Sequence, residues 1–139
     1  MKVVIDTNVL VSAISPFSTY HVIFKALQNE KFTLFISTEI YLEYLEVIQI
    51  KSRKENLEYL EGIILHGDNV EMSEPTFRWN LIKADEDDNK FVDSAIAGNA
   101  DFIVTDDKHF SVLKAIPFPR VLVVNSEDFI KMLNNDDAY

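Results

Sequence analysis

Four stretches of this chain put carboxylates where chemistry would use them. They are Asp6-Thr7-Asn8, the helix-spaced Glu39, Glu43 and Glu46, the run Asp85-Glu86-Asp87-Asp88, and Thr105-Asp106-Asp107. Carboxylates brought together cannot all ionise freely, because each raises the pKa of its neighbours. A divalent cation removes that conflict. The chain has no cysteine, and His21, His66 and His109 fall at no ligand spacing with one another, which leaves oxygen donors. Oxygen donors suit Mg²⁺ or Mn²⁺ rather than zinc. The chemistry natural to such a site is phosphoryl transfer: metal polarises the phosphate, lowers the pKa of a bound water and steadies the leaving oxygen.

Each acid also has an ordinary structural role open to it. Asp6 suits a turn or cap, Asp85 and Glu86 suit the positive end of a helix dipole, and Asp106 or Asp107 would cap a following helix. Glu39, Glu43 and Glu46 share a helix face as a solvated stripe would, and spacing alone does not select Glu43. The stronger signal is that acid-bearing turns follow the most clearly buried strands.

Those strands are Val3-Val4-Ile5 and Phe102-Ile103-Val104, short β-branched or apolar runs expected to be covered on both faces. Thr33 to Ile36 and Val121 to Val124 read as further strands, and Asn69 to Met72 as a weaker one. Between them, apolar residues at helical spacing predict helices over 19–29, from Ser37 or Thr38 with Ile40, Tyr44, Leu45 and Ile48 inward, and over 89–99. Ser52-Arg53-Lys54-Glu55 fits a capping box opening a helix to Leu65. A short helix carries Phe110 and Leu113, and Asn125 or Ser126 caps a last helix through Leu133. Residues 73–84 read as irregular or only briefly helical, with Phe77 and Trp79 expected in the core in preference to stacking a base or covering an interface. Alternating strands and helices predict an α/β domain with a mainly parallel sheet. Ligands bind such sheets beyond the carboxyl ends of the strands, where strand order reverses.

The length of 139 residues predicts a single domain over 1–139, and 47% hydrophobic residues supply a core. No apolar run approaches the roughly 20 residues that cross a bilayer. Asp6 interrupts any signal-peptide core, so a cytoplasmic protein without a membrane partner is expected. The net charge of −10 opposes tight binding of nucleic acid through a broad basic face.

Taken in order, several of these motifs resemble the PIN-domain family: Asp6-Thr7-Asn8 after an apolar strand, Ser37 six residues before Glu43, Asp88 ahead of Phe91-Val92-x-x-Ala95, and Ile103-Val104-Thr105-x-Asp107. The likeness runs from Lys2 to Ile130. More narrowly, Asp85-x-x-Asp88-Asn89-Lys90-Phe91 and Ala100-Asp101-x-Ile103-Val104-Thr105 resemble the bacterial and archaeal toxin components of PIN type. The resemblance implies a three-layer α/β/α domain of strand order 3-2-1-4-5, with four acids at the carboxyl edge binding Mg²⁺ or Mn²⁺. It implies cleavage of single-stranded or structured RNA to leave a 3′-hydroxyl. Carried onto this chain, the acids are Asp6, Glu43, Asp88 and Asp107, with Asn8, Ser37 and Thr105 as polar helpers. Asp87 stands beside Asp88 and Asp106 beside Asp107, and register decides within each pair. Lys90 and Lys108, one or two residues from these acids, are the bases best placed to meet substrate phosphate. VapC-type toxins of this family pair with an antitoxin protein and commonly dimerise, so the resemblance implies both partners.

Other enzymes on similar sheets fit less well. A dehalogenase-type phosphatase wants a second Asp two residues after the first, where this chain has Asn8. A phosphoacceptor receiver wants a Lys ending the last strand, where this chain has Asn125. A non-catalytic PIN fold that binds RNA or protein is the alternative, kept in view by the scarcity of basic residues.

Overall fold

The computed structural model describes residues 1–137, with side chains to Asn135; the last two positions of the expected 1–139 domain lie outside the described residues. Five strands, β1 (Lys2–Ile5), β2 (Thr33–Ile36), β3 (Val70–Met72), β4 (Phe102–Val104) and β5 (Val123–Val124), pair in the order β3-β2-β1-β4-β5, all parallel. The β-branched runs sit where coverage is most complete: Val3, Val4, Ile5, Ile103 and Val104 are all 0% exposed. Each such side chain contributes roughly 1.5–3 kcal/mol by leaving water.

The helices are α1 (Thr7–Ile14), α2 (His21–Gln28), α3 (Thr38–Lys51), α4 (Lys54–His66), α5 (Asn89–Gly98) and α6 (Ser126–Asp137). A 3₁₀ turn, Glu86–Asp88, precedes α5, and a longer 3₁₀ segment, Lys108–Ala115, follows β4. Right-handed crossovers place α1 to α4 on one face of the sheet and α5 on the other. α5 packs against β1, β2 and β4, and α6 returns to pack on α2. The result is the expected three-layer α/β/α sandwich. Strand order reverses at β1, so the ends of β1 and β4 flank the switch point.

α5 lies unusually close to the sheet. A Cβ on Gly98 would stand 2.6 Å from Ser73 Oγ and 2.7 Å from the Phe35 ring. Ser73 Oγ donates to the Ser94 carbonyl at 2.8 Å and Ser94 Oγ donates to the Ser73 carbonyl at 2.9 Å, which fastens the irregular stretch onto this helix. Asn99, in the left-handed conformation at φ 52°, ends it.

Several local expectations differ from the structure. The polar turn expected after β1 continues as α1, because Val9, Leu10, Ala13 and Ile14 bury one face. The helix expected over 19–29 is shorter at both ends. No capping box forms at Ser52: this residue closes α3 in extended backbone, and its Oγ accepts from Asn56 Nδ2 at 2.6 Å. Leu45 is only half-buried, since α3 turns Ile40, Tyr44 and Ile48 inward. The last strand is reduced to Val123–Val124, matching the two β4 residues it faces, although Val121 remains buried. Phe77 and Trp79 are not core residues. With Phe118 they form an edge-to-face row on the surface, and Phe77 and Phe118 are 61% and 80% exposed. No helix among the described residues is long and apolar enough to cross a membrane.

Candidate active site

Asp6 leaves the sheet at the carboxyl end of β1. Its N–H donates to the Val104 carbonyl at 2.9 Å, extending the β1–β4 ladder by one step and setting its side chain beside Thr105. Asp6 occupies the cap position of α1 but makes no side-chain cap bond; instead Oδ2 accepts from Thr105 Oγ1 at 2.7 Å. A capping role therefore does not explain this residue. Burial raises its pKa; the Thr105 bond offsets part of that, and Asp107 and Glu43 push it up again.

Glu43 reaches the same edge from α3. Ser37 opens that helix as an ordinary cap, accepting from Ile40 N–H at 3.2 Å. One residue past Glu43, the fully buried Tyr44 donates its hydroxyl to the Ile5 carbonyl, pinning α3 to the end of β1. Glu43 then accepts from Thr7 Oγ1 through one oxygen and from Lys90 Nζ at 2.6 Å through the other. Of the three glutamates on this stripe, Glu39 pairs with Arg78 at the surface and Glu46 is exposed. Only Glu43 of the three meets the acid cluster.

Asp88 closes the 3₁₀ turn with its side chain 12% exposed, whereas the side chain of Asp87 is 78% exposed. Asn89 fixes this turn: its amide accepts from Ile82 N–H and donates to the Ile82 carbonyl, both at 2.9 Å. Asp88 Oδ2 is buried with no hydrogen-bond partner. Its pKa is raised to about 6, chiefly by burial and then by Asp85, Asp107 and Asp6, with His109 pulling the other way.

Asp106 and Asp107 part company. Asp106 accepts from Ser126 N–H at 2.9 Å and Ser126 Oγ at 2.7 Å, which ties it to the start of α6. Asp107 stays at the acid cluster, where Oδ1 accepts from His109 N–H at 2.8 Å and its own N–H donates to Thr105 Oγ1 at 3.0 Å. Asp107 and Glu43 act electrostatically on Asp6, and Asp85, Asp107 and Asp6 act on Asp88, so the four predicted acids influence one another; the group whose ligand atoms all lie within 4.8 Å of one another is Asp85, Asp88 and His109.

Asn8 is exposed beside Asp6 and lines a cleft of about 370 Å³ with Ser12, Tyr20 and Asp107. A neighbouring cleft of about 800 Å³ shares Tyr20 and Asp107 and carries Lys108, Lys114 and Asn125 on its wall. Lys90 faces the other way. Only 11% of its side chain is exposed, and it bridges Glu43 and Asp87 at 2.6 and 3.3 Å. Burial pulls its pKa down, but those two carboxylates more than compensate and leave it raised.

Sequence reasoning passed over three contributors, Asp85, Asn89 and Lys114, and read His109, near Asp107, as an exposed helix histidine in preference to a group that helps with phosphate or substrate. The spacing Asp85-x-x-Asp88 was a usable signal, since residues three apart eclipse in a 3₁₀ turn. The nearness of His109 to Asp107 was a signal too, but its approach to Asp88 joins two segments distant in sequence. The donor set fits a hard divalent cation: crowded carboxylates, two with raised pKa, and one buried oxygen that no protein group satisfies.

The model of the PIN domain matches residues 2–109, and the chain belongs to the PIN-domain family. Among solved structures, a chain in the crystal structure of VapBC2 from Rickettsia felis, bound to a DNA fragment from their promoter, is similar in fold. The TM-score is 0.60 at 23% identity, over 90% of this chain and 98% of that one. No curated protein matches the chain.

Proposed function

We propose that this chain is a Mg²⁺- or Mn²⁺-dependent endoribonuclease that hydrolyses RNA phosphodiester bonds, as the toxin of a toxin–antitoxin pair. The observation that carries this reading is Asp88 Oδ2, buried and unpartnered, in a PIN-family chain whose Asp6, Glu43, Asp88 and Asp107 act on one another electrostatically. These four residues would hold the cation. When bound, it would activate water and offset charge on the phosphate.

The chain's own residues prepare the rest. Thr105 keeps one Asp6 oxygen in place. Thr7 and Lys90 fix both oxygens of Glu43, so that acid needs no reorganisation. Asn8 lines the smaller cleft, and Lys108 and Lys114 are the two cations available to backbone phosphates on the wall of the larger one, beside Asp106, Asp107, Glu127 and Asp128. Substrate would lie along those clefts as a flexible single strand.

The antitoxin partner rests on the PIN resemblance and on the fold shared with a VapBC2 chain. An acidic chain of net charge −10 suits a partner with a basic segment. Exposed Phe17 and Ile50, at 96% and 76%, would give such a partner or a second copy of the chain an apolar surface to cover. The working unit would be one domain acting in the cytoplasm.

The test is cleavage of a mixed pool of structured and unstructured RNA with Mn²⁺, Mg²⁺ or EDTA, comparing the native chain with Asp6→Asn. Metal-dependent cutting that disappears in the variant supports the nuclease. Equal cutting by both would sink the site assignment. The scarcity of basic residues favours a second reading, a non-catalytic RNA- or protein-binding module. RNA retention without cutting, by a folded and metal-loaded chain, would select it.

A further inference from the structure

Two groups outside the four acids crowd the same edge. Ligand atoms of Asp85, Asp88 and His109 all lie within 4.8 Å of one another. Ligands sharing a cation at about 2.0–2.2 Å lie roughly 3–4.4 Å apart, so small side-chain adjustments would close this set around an ion. Hydrogen bonds already hold two of the three in place. Asp85 Oδ1 accepts from Asp87 N–H at 3.1 Å, and His109 N–H is held by Asp107 at 2.8 Å.

An independent observation points to a ligand. Asp88 is 8% exposed, and its Oδ2 has no hydrogen-bond partner. The nearest candidate, His109 Nδ1, stands 3.4 Å away and equally 3.4 Å from Asp107 Oδ1. A committed charge-assisted bond would be about 2.7–2.9 Å. The imidazole therefore satisfies neither carboxylate, and a buried oxygen left so costs free energy.

We propose that Asp85, Asp88 and His109 hold a divalent cation through two carboxylates and one imidazole nitrogen, and that His109 makes this position prefer a first-row transition ion such as Mn²⁺ over Mg²⁺. Mg²⁺ favours oxygen ligands and dehydrates reluctantly, whereas imidazole nitrogen suits transition metals better. The inference rests on the metal-dependent reading for the presence of a cation, and not on RNA being cut.

Pulsed EPR of the Mn²⁺-loaded full chain tests it, together with Mn²⁺ affinity and displacement by Mg²⁺. The native chain should give a histidine nitrogen coupling that is lost in His109→Gln. Mn²⁺ affinity should fall about tenfold in that variant and in Asp85→Asn, while Mg²⁺ affinity of His109→Gln changes less than about twofold. His109 is 45% exposed at its side chain, so the Gln variant should fold, and circular dichroism checks this. Bound Mn²⁺ without nitrogen coupling, or an unchanged preference in His109→Gln, overturns the inference even if RNA is cut. Nitrogen coupling in a chain that cuts no RNA supports it and counts against the nuclease. Failure to bind Mn²⁺ at all overturns both.

Discussion

Lys90 Nζ stands 2.6 Å from Glu43 Oε1, and that contact ties α5 to α3 across the acid cluster. The two side chains are only 11% and 22% exposed, so the pair works in a partly desolvated setting. Lys90 acts there as a built-in counterion for an acid that otherwise meets the Thr7 hydroxyl and the negative charge of Asp6.

Replacing Lys90 by Met should expose that dependence. Glu43 would lose its cationic partner, and the metal-free protein should lose about 1–3 kcal/mol, a drop of several degrees in Tm. Saturating Mn²⁺ should raise the Tm of Lys90→Met more than that of the native chain, because the ion supplies the missing positive charge. Thermal melts with metal and with EDTA check both halves; equal Tm values in EDTA would show that the pair adds no stability.

The acid cluster should also make metal-free stability depend on pH. Asp88 binds its proton more tightly in the folded chain, with its pKa raised from 3.8 to about 6. Its ionisation therefore lowers stability as pH climbs through that window, and the loss is complete above it. Asp6, also raised, acts in the same direction. In EDTA, Asp88→Asn should melt higher than the native chain at pH 7, by on the order of 1 kcal/mol after solvent screening. The advantage should shrink towards pH 4, and a constant offset between the two melting curves would contradict it.

Neighbouring Asp106 and Asp107 should separate by phenotype. Asp106→Ala removes two bonds that hold the start of α6, so it should cost about 1–2 kcal/mol and leave metal binding within about twofold. Asp107→Asn keeps much of the local shape but removes a charge from the cluster. It should weaken Mn²⁺ binding by at least about tenfold with a smaller change in Tm. Calorimetric titration and melting of both variants would expose a reversed pattern.

Thr105 links the two turns by donating to Asp6 and accepting from Asp107 N–H. Thr105→Val leaves both without this partner, at about 1–3 kcal/mol, and should cut metal-dependent RNA cleavage about tenfold, while Thr105→Ser restores it. Full activity in Thr105→Val would show that the hydroxyl is not needed, and loss in both variants would show that the methyl group is needed as well.

How much of this was legible beforehand follows from which interactions are local. Val3-Val4-Ile5 and Phe102-Ile103-Val104 announce buried strands because their apolar runs need cover on both faces. The acid-bearing turns after them were readable for the same reason. α1 was not, because its polar Asp6-Thr7-Asn8 start reads as a turn and its apolar face gains meaning only against the sheet. Phe77 and Trp79 misled in the opposite sense, since aromatic character alone suggests a core that these residues never enter.

By itself, then, the sequence determined the alternation of strands and helices, the acidic edge and the oxygen-rich character of its donors. The tertiary structure decided which member of each ambiguous set faces inward. It chose Glu43 through Thr7 and Lys90, Asp88 through its burial, and Asp107 through Thr105, while Ser126 claimed Asp106. It also set His109 beside Asp88, across 21 positions of chain. The physical reason is that periodicity and turn preference act over a few residues. The direction of a side chain at a turn is set instead by hydrogen-bond partners and burial supplied by distant segments.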